Sequence, residues 1–198
     1  MLSAKFGPKI QRIASVPLRW ISRTGITPNG LTIIGLVING AASVAFIFDK
    51  FPMAGALILI AGAFDIMDGS LARTNNQESE FGALLDSVMD RYSDLAIVLG
   101  LIIHYALLNK LSHVILASIV LMGTVLIPYT RARAERFLPQ CNIGLMERAE
   151  RILLLAFGAL FNLMTPVLLI MAVFTHFTVF QRLHYSWKQF GGKGHRQT

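Results

Sequence analysis

Long apolar runs, separated by short polar connections, constrain this chain more than any other feature. The run "PMAGALILIAGAF" ends at Phe64, and "LAIVLGLII" begins at Leu95. About 20 apolar residues are enough for a helix to cross a bilayer. Because lipid leaves no partner for an unpaired backbone group, such runs form helices. We predict an all-α bundle of six transmembrane helices in one domain, residues 1–198. The predicted spans are Leu31–Phe48, Pro52–Ala72, Ala83–Leu108, Ser112–Ala134, Ile152–Met164 and Pro166–Phe180.

Composition supports a membrane protein. Hydrophobic residues make up 54% of the chain and charged residues only 15%, and the mean hydropathy is +0.58. The net charge of +7 is explained by cytoplasmic Lys and Arg facing anionic headgroups, so we expect no nucleic-acid partner. Cys141 is the one cysteine, which excludes an intramolecular disulfide.

The basic residues predict the orientation in the cell membrane. If both termini are cytoplasmic, all of the 18 Lys and Arg residues except Lys50 and Lys110 lie on the cytoplasmic side. Such an excess marks the inside of multi-pass proteins. Both termini and the polar ends of the second and third spans are therefore predicted to be cytoplasmic.

The two ends of the chain differ from its centre. Residues 1–25 place Ile10, Ile13 and Trp20 broadly on one face among basic residues, which predicts an amphipathic helix at the cytoplasmic interface. They lack the pattern of a cleavable signal peptide. Residues 190–198, ending in "GGKGHRQT", are predicted to be a disordered tail. Small residues in "AGALILIAGAF" predict close helix packing, within the chain or between two copies in a homodimer.

Four aspartates interrupt this apolar pattern. Asp65 and Asp68 are three apart on the second predicted helix, and Asp86 and Asp90 are four apart on the third. Both spacings keep side chains on one helix face. Counting about 1.5 Å per residue from the membrane boundary places both pairs at similar depth. Four ionised carboxylates in a low dielectric need cations.

Ligand chemistry points to hard metals. Oxygen-only ligands favour Mg²⁺ or Mn²⁺, and so many carboxylates can hold two ions. Gly69 lets a bulky ligand approach the helix, and Arg73, one turn later, can hold a phosphate. Solvated or Arg-paired aspartates, or an ion pathway, are the alternatives. The apolar far halves of both helices favour chemistry on a lipid headgroup.

The stretch "DIMDGSLARTNNQESEFGALLDSVMD" reads D-x2-D-G-x2-A-R-x8-G-x3-D-x3-D. It resembles the signature of the CDP-alcohol phosphotransferases, and "GITPNGLTIIGL" resembles that family's entry to its first helix. The resemblance implies transfer of a phosphatidyl group from a CDP-lipid to an alcohol, with release of CMP. It also implies a di-metal site of Asp65, Asp68, Asp86 and Asp90, with Asp90 as general base. The positions that resemble the family's nucleotide contacts are Pro28, Asn29, Gly30, Leu31, Gly69, Arg73 and Ser79, and Thr32 is a secondary candidate outside this set.

A second stretch, "YTRARAERFLPQCNIGLMERAERILLL", bears on the acceptor. Its five arginines suit an alcohol that carries its own phosphate, because guanidinium groups bind phosphate in a fork. Plain cytoplasmic charge, partly paired with Glu135, Glu147 and Glu150, is the alternative. The stretch also resembles the "KARAE" and "ERAER" segments of the prokaryotic branch that uses inositol phosphate, with Arg131 where that pattern has Lys. The predicted acceptor-phosphate ligands are Arg131, Arg148, Arg151 and Arg182.

Several substrates stay open at this point. A glycerol 3-phosphate acceptor would need the same phosphate clamp, whereas free inositol or serine would need fewer arginines. The apolar runs do not distinguish CDP-diacylglycerol from an ether-linked analogue. A carboxylate-based ion carrier is the alternative from a different functional class.

Overall fold

The structure is a computed structural model that describes residues 27–74 and 79–194. Every regular element in these ranges is a helix, and there are six of them there, so the predicted all-α architecture is confirmed. The amphipathic helix predicted for residues 1–25 lies outside the described residues. The helices are α1 Pro28–Ile47, α2 Phe51–Thr74, α3 Glu80–Leu107, α4 Leu111–Glu135, α5 Arg148–Leu160 and α6 Met164–Gly194.

The last two helices differ from their predicted bounds. Helix α5 begins at Arg148, before the span predicted from Ile152, as the charged run "MERAERILLL" leads one to expect, because its Arg, Ala and Glu residues are good helix formers; it ends at Leu160 rather than Met164. Helix α6 continues past the predicted end at Phe180, so residues 190–194 of the predicted disordered tail are helical. A helix that already exists adds further residues more easily than a new helix begins, which offsets the unfavourable helix propensity of the glycines there. Residues 195–198 lie outside the described part.

Within residues 27–74 and 79–194, four helices are long and apolar enough to cross a membrane: α1, α2 over Phe51–Leu71, α4, and α6 over Met164–Phe190. Helix α3 has 28 residues but carries several charges in its first half. Helix α5 has 13 residues and is about 20 Å long, shorter than the hydrocarbon. Helix α3 is thus too charged, and helix α5 too short, to be identified as a membrane span from length and composition.

The helices pack as a closed ring. Helix α1 packs on α2 and α3, α3 on α4, α4 on α6, α6 on α5, and α5 on α2. The core inside the ring is apolar and includes the fully buried Phe46, Ile58, Leu101, Leu168 and Met171. The outer surface is apolar too, as expected for a protein whose solvent is lipid.

Three tight turns close one end of the bundle, here called the turn end. Asp49, Asn109 and Asn162 each have a positive φ and follow the end of α1, α3 and α5. In each turn a backbone N–H bonds to the carbonyl five residues earlier, at 2.8–2.9 Å. Asp and Asn tolerate this left-handed conformation better than other side chains that have a Cβ. The other ends of all six helices, here called the site end, gather opposite these turns.

Gly55 allows α2 to approach α5 closely. A Cβ at this position would lie 2.9 Å from the Ala156 carbonyl oxygen and 2.9 Å from Leu160 Cγ. The close packing predicted from "AGALILIAGAF" therefore occurs within the chain. Small residues do the same at other membrane helix interfaces, since they let backbones meet.

We expect Gly55→Ala to destabilise the protein by about 1–3 kcal/mol, because the backbone of α5 has to move. Gly40→Ala is the matched control, since a Cβ there meets nothing within 4 Å. It should be neutral or stabilising by up to about 1 kcal/mol, as alanine favours a helix. Thermal unfolding in detergent measures both. Equal midpoints for the two variants would contradict the close α2–α5 contact.

Candidate active site

Two helix N-termini lie side by side at the site end. The Thr27 hydroxyl caps α1 by accepting from Gly30 N at 3.2 Å, and Ser79 caps α3 by accepting from Gly82 N at 3.0 Å. Asn29 Oδ1 is 3.3 Å from where a Cβ of Gly82 would be. Exposed helix N-termini attract phosphates through their unpaired N–H groups. The predicted nucleotide contacts Pro28–Leu31 and Ser79 thus share one location.

Asp68 is fixed by α1. It is buried, and its Oδ2 accepts a hydrogen bond from Thr32 Oγ1 at 2.7 Å. Its Oδ1 accepts from Gly69 N at 2.5 Å. Thr32, predicted among the nucleotide contacts, therefore contacts a predicted metal ligand. The sequence holds no sign of this contact, because it depends on how α1 packs against α2.

Arg148 joins the two rows of aspartates. Its Nη1 lies 2.7 Å from Asp65 Oδ2 and 2.8 Å from Asp90 Oδ1. The two carboxylates therefore lie close together, as the predicted similar depth of the two aspartate pairs requires. Gly35 makes room for this arrangement, since a Cβ there would lie 3.0 Å from Asp65 Oδ1.

The charges of this cluster do not balance. Asp86 is close enough to Asp65, Asp68 and Asp90 for mutual repulsion. Among the side chains that the structure describes, these four and Asp94 give five carboxylates facing three guanidinium groups, those of Arg91, Arg148 and Arg151. The excess of two negative charges in a poorly solvated site favours binding of cations.

The donor set fits divalent metal ions in chemistry and in charge. Asp65 Oδ2 is buried and has no aligned hydrogen-bond donor, although Arg148 is close to it. Such an oxygen is a suitable ligand for Mg²⁺ or Mn²⁺. Within residues 27–74 and 79–194, however, no three acidic, His or Cys side chains converge as the ligands of one ion do. The di-metal site of Asp65, Asp68, Asp86 and Asp90 stays a prediction.

Asp94 pairs with another helix rather than with Arg91. Its Oδ2 accepts from Arg151 Nη2 at 2.5 Å, and its Oδ1 is 3.6 Å from Arg148 Nε. Arg151 also donates to the Met146 carbonyl at 3.4 Å. Arg91 is half-exposed and lies 3.7 Å from Asp90. Two of the predicted acceptor-phosphate ligands are thus held beside the aspartates.

The other two predicted phosphate ligands hold the connection between α4 and α5. Arg131 donates to Glu135 and to Asn142 Oδ1, both at 2.9 Å. Arg182 is buried and donates to the carbonyls of Ile143 at 2.8 Å and Ile127 at 2.5 Å. Arg182 is close enough to Arg131 and Arg151 for mutual repulsion, so the arginines form one positive region. The side chain of Arg73, the remaining predicted phosphate contact, lies outside the described part.

Comparison with known proteins agrees with this site. The CDP-alcohol phosphatidyltransferase family matches residues 25–180. The chain is 35% identical over 194 residues to the archaetidylinositol phosphate synthase of Pyrococcus horikoshii, covering 96% of this chain and 98% of that protein.

Solved structures agree as well. The phosphatidylinositol phosphate synthase of Mycobacterium tuberculosis with CDP-DAG bound matches with a TM-score of 0.82 and 30% identity, covering 89% of this chain and 94% of that one. The same enzyme in complex with manganese and citrate matches with a TM-score of 0.80 and 29% identity, covering 88% of each chain.

The helical bundle and its carboxylate–arginine cluster define a membrane enzyme of phospholipid biosynthesis. The chain belongs to the CDP-alcohol phosphatidyltransferase family. The recognition of this family from the aspartate motif is confirmed, and the ion-carrier alternative is set aside.

We expect Arg148→Gln to destabilise the metal-free protein by about 3 kcal/mol, because it leaves Asp65 and Asp90 without their shared cation. For a chain of this length the unfolding midpoint should fall by roughly 10 °C. Mn²⁺ should reduce the difference from the wild type, since it supplies the missing positive charge. Thermal unfolding in detergent, with chelator or with Mn²⁺, checks both points.

The exposed Arg133 provides the control. Arg133→Gln should change stability by less than about 0.5 kcal/mol, as surface substitutions usually do. If the two variants lost the same stability, the bridge at Asp65 and Asp90 would contribute nothing.

Proposed function

We propose that this enzyme, a single domain over residues 1–198, transfers a phosphatidyl group from CDP-diacylglycerol or an ether-linked analogue to a hydroxyl of inositol phosphate. CMP is the second product. One observation carries the proposal: Arg148 contacts Asp65 and Asp90 with one nitrogen and belongs to a group of arginines suited to a phosphate. The phosphate-binding side chains and the aspartate motif thus meet at a single position.

The donor side is built by α1, α2 and the start of α3. In the proposed complex the CDP pyrophosphate lies against the N-termini at Pro28–Leu31 and Ser79, where backbone N–H groups stabilise negative charge. Gly69 has no side chain, so a ligand can approach α2 there, and Arg73 is one turn further along the same helix. The lipid part extends from there along the apolar outer surface.

The acceptor side is built by the ends of α4 and α6 and the start of α5. An inositol phosphate has a dianionic phosphate, which two or three guanidinium groups hold well. Arg148 and Arg151 come from α5, Arg131 from α4 and Arg182 from α6. This many buried or half-buried cations favours a phosphorylated acceptor over free inositol or serine. The names of the relatives from Pyrococcus horikoshii and Mycobacterium tuberculosis favour inositol phosphate over glycerol 3-phosphate.

Asp90 is the proposed general base. It lies on α3 next to Arg148, so an acceptor whose phosphate is held by Arg148 presents a hydroxyl close to this carboxylate. Asp90 takes the hydroxyl proton while the oxygen attacks the phosphorus of the donor. The bond to the CMP phosphate oxygen breaks in the same displacement.

The side chains that would hold Mg²⁺ or Mn²⁺ are Asp65, Asp68, Asp86 and Asp90. Two divalent ions would match the four negative charges of these carboxylates. Bound metal would polarise the pyrophosphate and stabilise the leaving CMP. Thr32 holds Asp68 in place through its hydrogen bond, and Gly35 leaves space for Asp65. The manganese complex of the Mycobacterium tuberculosis enzyme supports metal use by this chain.

Release of CMP from CDP-diacylglycerol tests the reaction. With Mg²⁺ and inositol 1-phosphate, we expect purified enzyme to release CMP, and chelator to abolish the release. Asp90→Asn should lower kcat by about 100-fold or more, because a general base contributes that much. Asp49→Asn, at the turn end, is the control and should retain activity.

The acceptors are compared in parallel assays. Release with glycerol 3-phosphate in place of inositol 1-phosphate would keep the reaction class and overturn the acceptor. Release only with free inositol or serine would overturn the phosphate clamp. Full activity of Asp90→Asn would show that another group takes the proton.

We further propose that both termini and the active site face the cytoplasm. The arginines of the site end support this orientation, because cytoplasmic loops carry most Lys and Arg residues. A phosphatase reporter that is active only outside the cytoplasm should be inactive when fused after Thr198. The same reporter inserted in the turn at 108–110 should be active. The reverse result would invert the topology.

A further inference from the structure

Asp94 is a buried acid that the aspartate motif does not include. It lies on α3 one turn beyond Asp90 and exposes 7% of its surface. Its two oxygens lie 2.5 Å from Arg151 Nη2 and 3.6 Å from Arg148 Nε. A single carboxylate therefore contacts both arginines of α5 that face the site.

This contact crosses the interior of the helix ring. Among the described helices, α5 packs mainly on α2 and α6, whereas α3 packs on α1 and α4. The link from Asp94 to Arg148 and Arg151 is thus made by long side chains between non-neighbouring helices. The link sets the positions of the two arginines on α5 relative to the aspartates on α3.

The pairing also restricts the two guanidinium groups. Arg151 is 4% exposed and is held by Asp94 at one nitrogen and by the Met146 carbonyl at another. Arg148 is held at its Nη1 by the two motif carboxylates, and Asp94 Oδ1 lies within ion-pair distance of its buried Nε, which has no hydrogen-bond partner. An arginine fixed at two points, as Arg151 is, keeps its fork in one orientation, which is how supporting side chains orient ligands in other sites.

We propose that Asp94 is a positioning residue for the acceptor phosphate. It orients Arg148 and Arg151 so that a phosphate bound to them places its hydroxyl beside Asp90. This inference rests on the proposed function, because it assumes an acceptor with a phosphate. Asp94 itself takes no proton and contacts no reacting atom.

The location of Asp94 predicts which kinetic constant it governs. The proposed donor contacts come from α1, α2 and Ser79, and none of them touches Asp94 in the described part of the chain. At metal sites, loss of a side chain that orients a ligand costs about 10–100-fold in affinity or activity, and we expect the same scale for an arginine that binds phosphate. The KM for the acceptor should therefore rise by about that factor, while the KM for CDP-diacylglycerol stays within about twofold.

Two variants separate position from charge. Asp94→Asn removes the charge and leaves Arg151 buried without its carboxylate, so some loss of stability is expected. Asp94→Glu keeps the charge and shifts the carboxylate by one methylene. We expect Asp94→Glu to fold normally and still to raise the acceptor KM several-fold. Asp49→Asn, which alters an acid 3.7 Å from His104 at the turn end, is the matched control.

Phosphate binding gives a readout that needs no turnover. Stabilisation by inorganic phosphate, followed by thermal unfolding, should require higher phosphate concentrations in Asp94→Glu than in the wild type. Mn²⁺ should stabilise both proteins at the same concentration. Wild-type acceptor KM and wild-type phosphate response in Asp94→Glu would overturn the positioning role and leave a purely structural pair.

If the proposed function is wrong, the kinetic results differ from those expected when only the role of Asp94 is wrong. A wild type that uses glycerol 3-phosphate overturns the acceptor but supports Asp94 if the KM for that compound rises in Asp94→Glu. A wild type that uses only an unphosphorylated alcohol overturns both proposals. An equal rise of the donor and acceptor KM values would show a general distortion of the site and would also overturn the role of Asp94.

Discussion

The structure depends on how the bundle stabilises five carboxylates at its site end. Ionised acids are costly in a low dielectric, and their mutual repulsion adds to that cost. Arg148 offsets part of it by lying between Asp65 and Asp90, and Arg151 does the same for Asp94. The remaining excess of negative charge is what a divalent metal ion would neutralise. The same electrostatic demand that makes the site costly therefore makes it a receptor for cations and, through its arginines, for phosphates.

The site changes the helices that carry it. Helices α1, α2, α4 and α6 have apolar stretches long enough to cross the membrane. Helix α3 contributes Asp86, Asp90 and Asp94, and the short α5 begins at Arg148. Both helices are part of the ring, and the core inside the ring is apolar, as at the fully buried Leu101 and Leu168. The packing of the apolar helices thus offsets the cost of burying the charges on α3 and α5.

Donor and acceptor functions are divided around the ring. The N-termini of α1 and α3 and the motif part of α2 form the proposed nucleotide side, and α4, α5 and α6 supply the arginines. Arg148 belongs to both groups, because it contacts motif aspartates and stands among the proposed phosphate ligands. Arg131 donates a hydrogen bond to Asn142, and Arg182 donates to the carbonyls of Ile143 and Ile127. These bonds fix the connection that leads into α5. In the proposed mechanism, this shared arginine brings the acceptor to the base.

Sequence alone determined the class of fold, the aspartate motif and the closeness of its two halves, on α2 and α3. It could do so because hydrophobic run length, helical periodicity and the rise per residue are local properties. The end of α6 was placed too early, since glycines near a chain terminus suggest disorder, whereas an existing helix can continue through them despite their unfavourable propensity. The partners of Thr32, Arg148 and Asp94 came only from the tertiary structure. Thr32 meets Asp68 from a neighbouring helix, and Asp94 meets Arg151 across the ring, so each pair depends on helix packing between residues 36 or 57 positions apart. No local pattern encodes such a meeting, because it is the ring of helices that brings these side chains together.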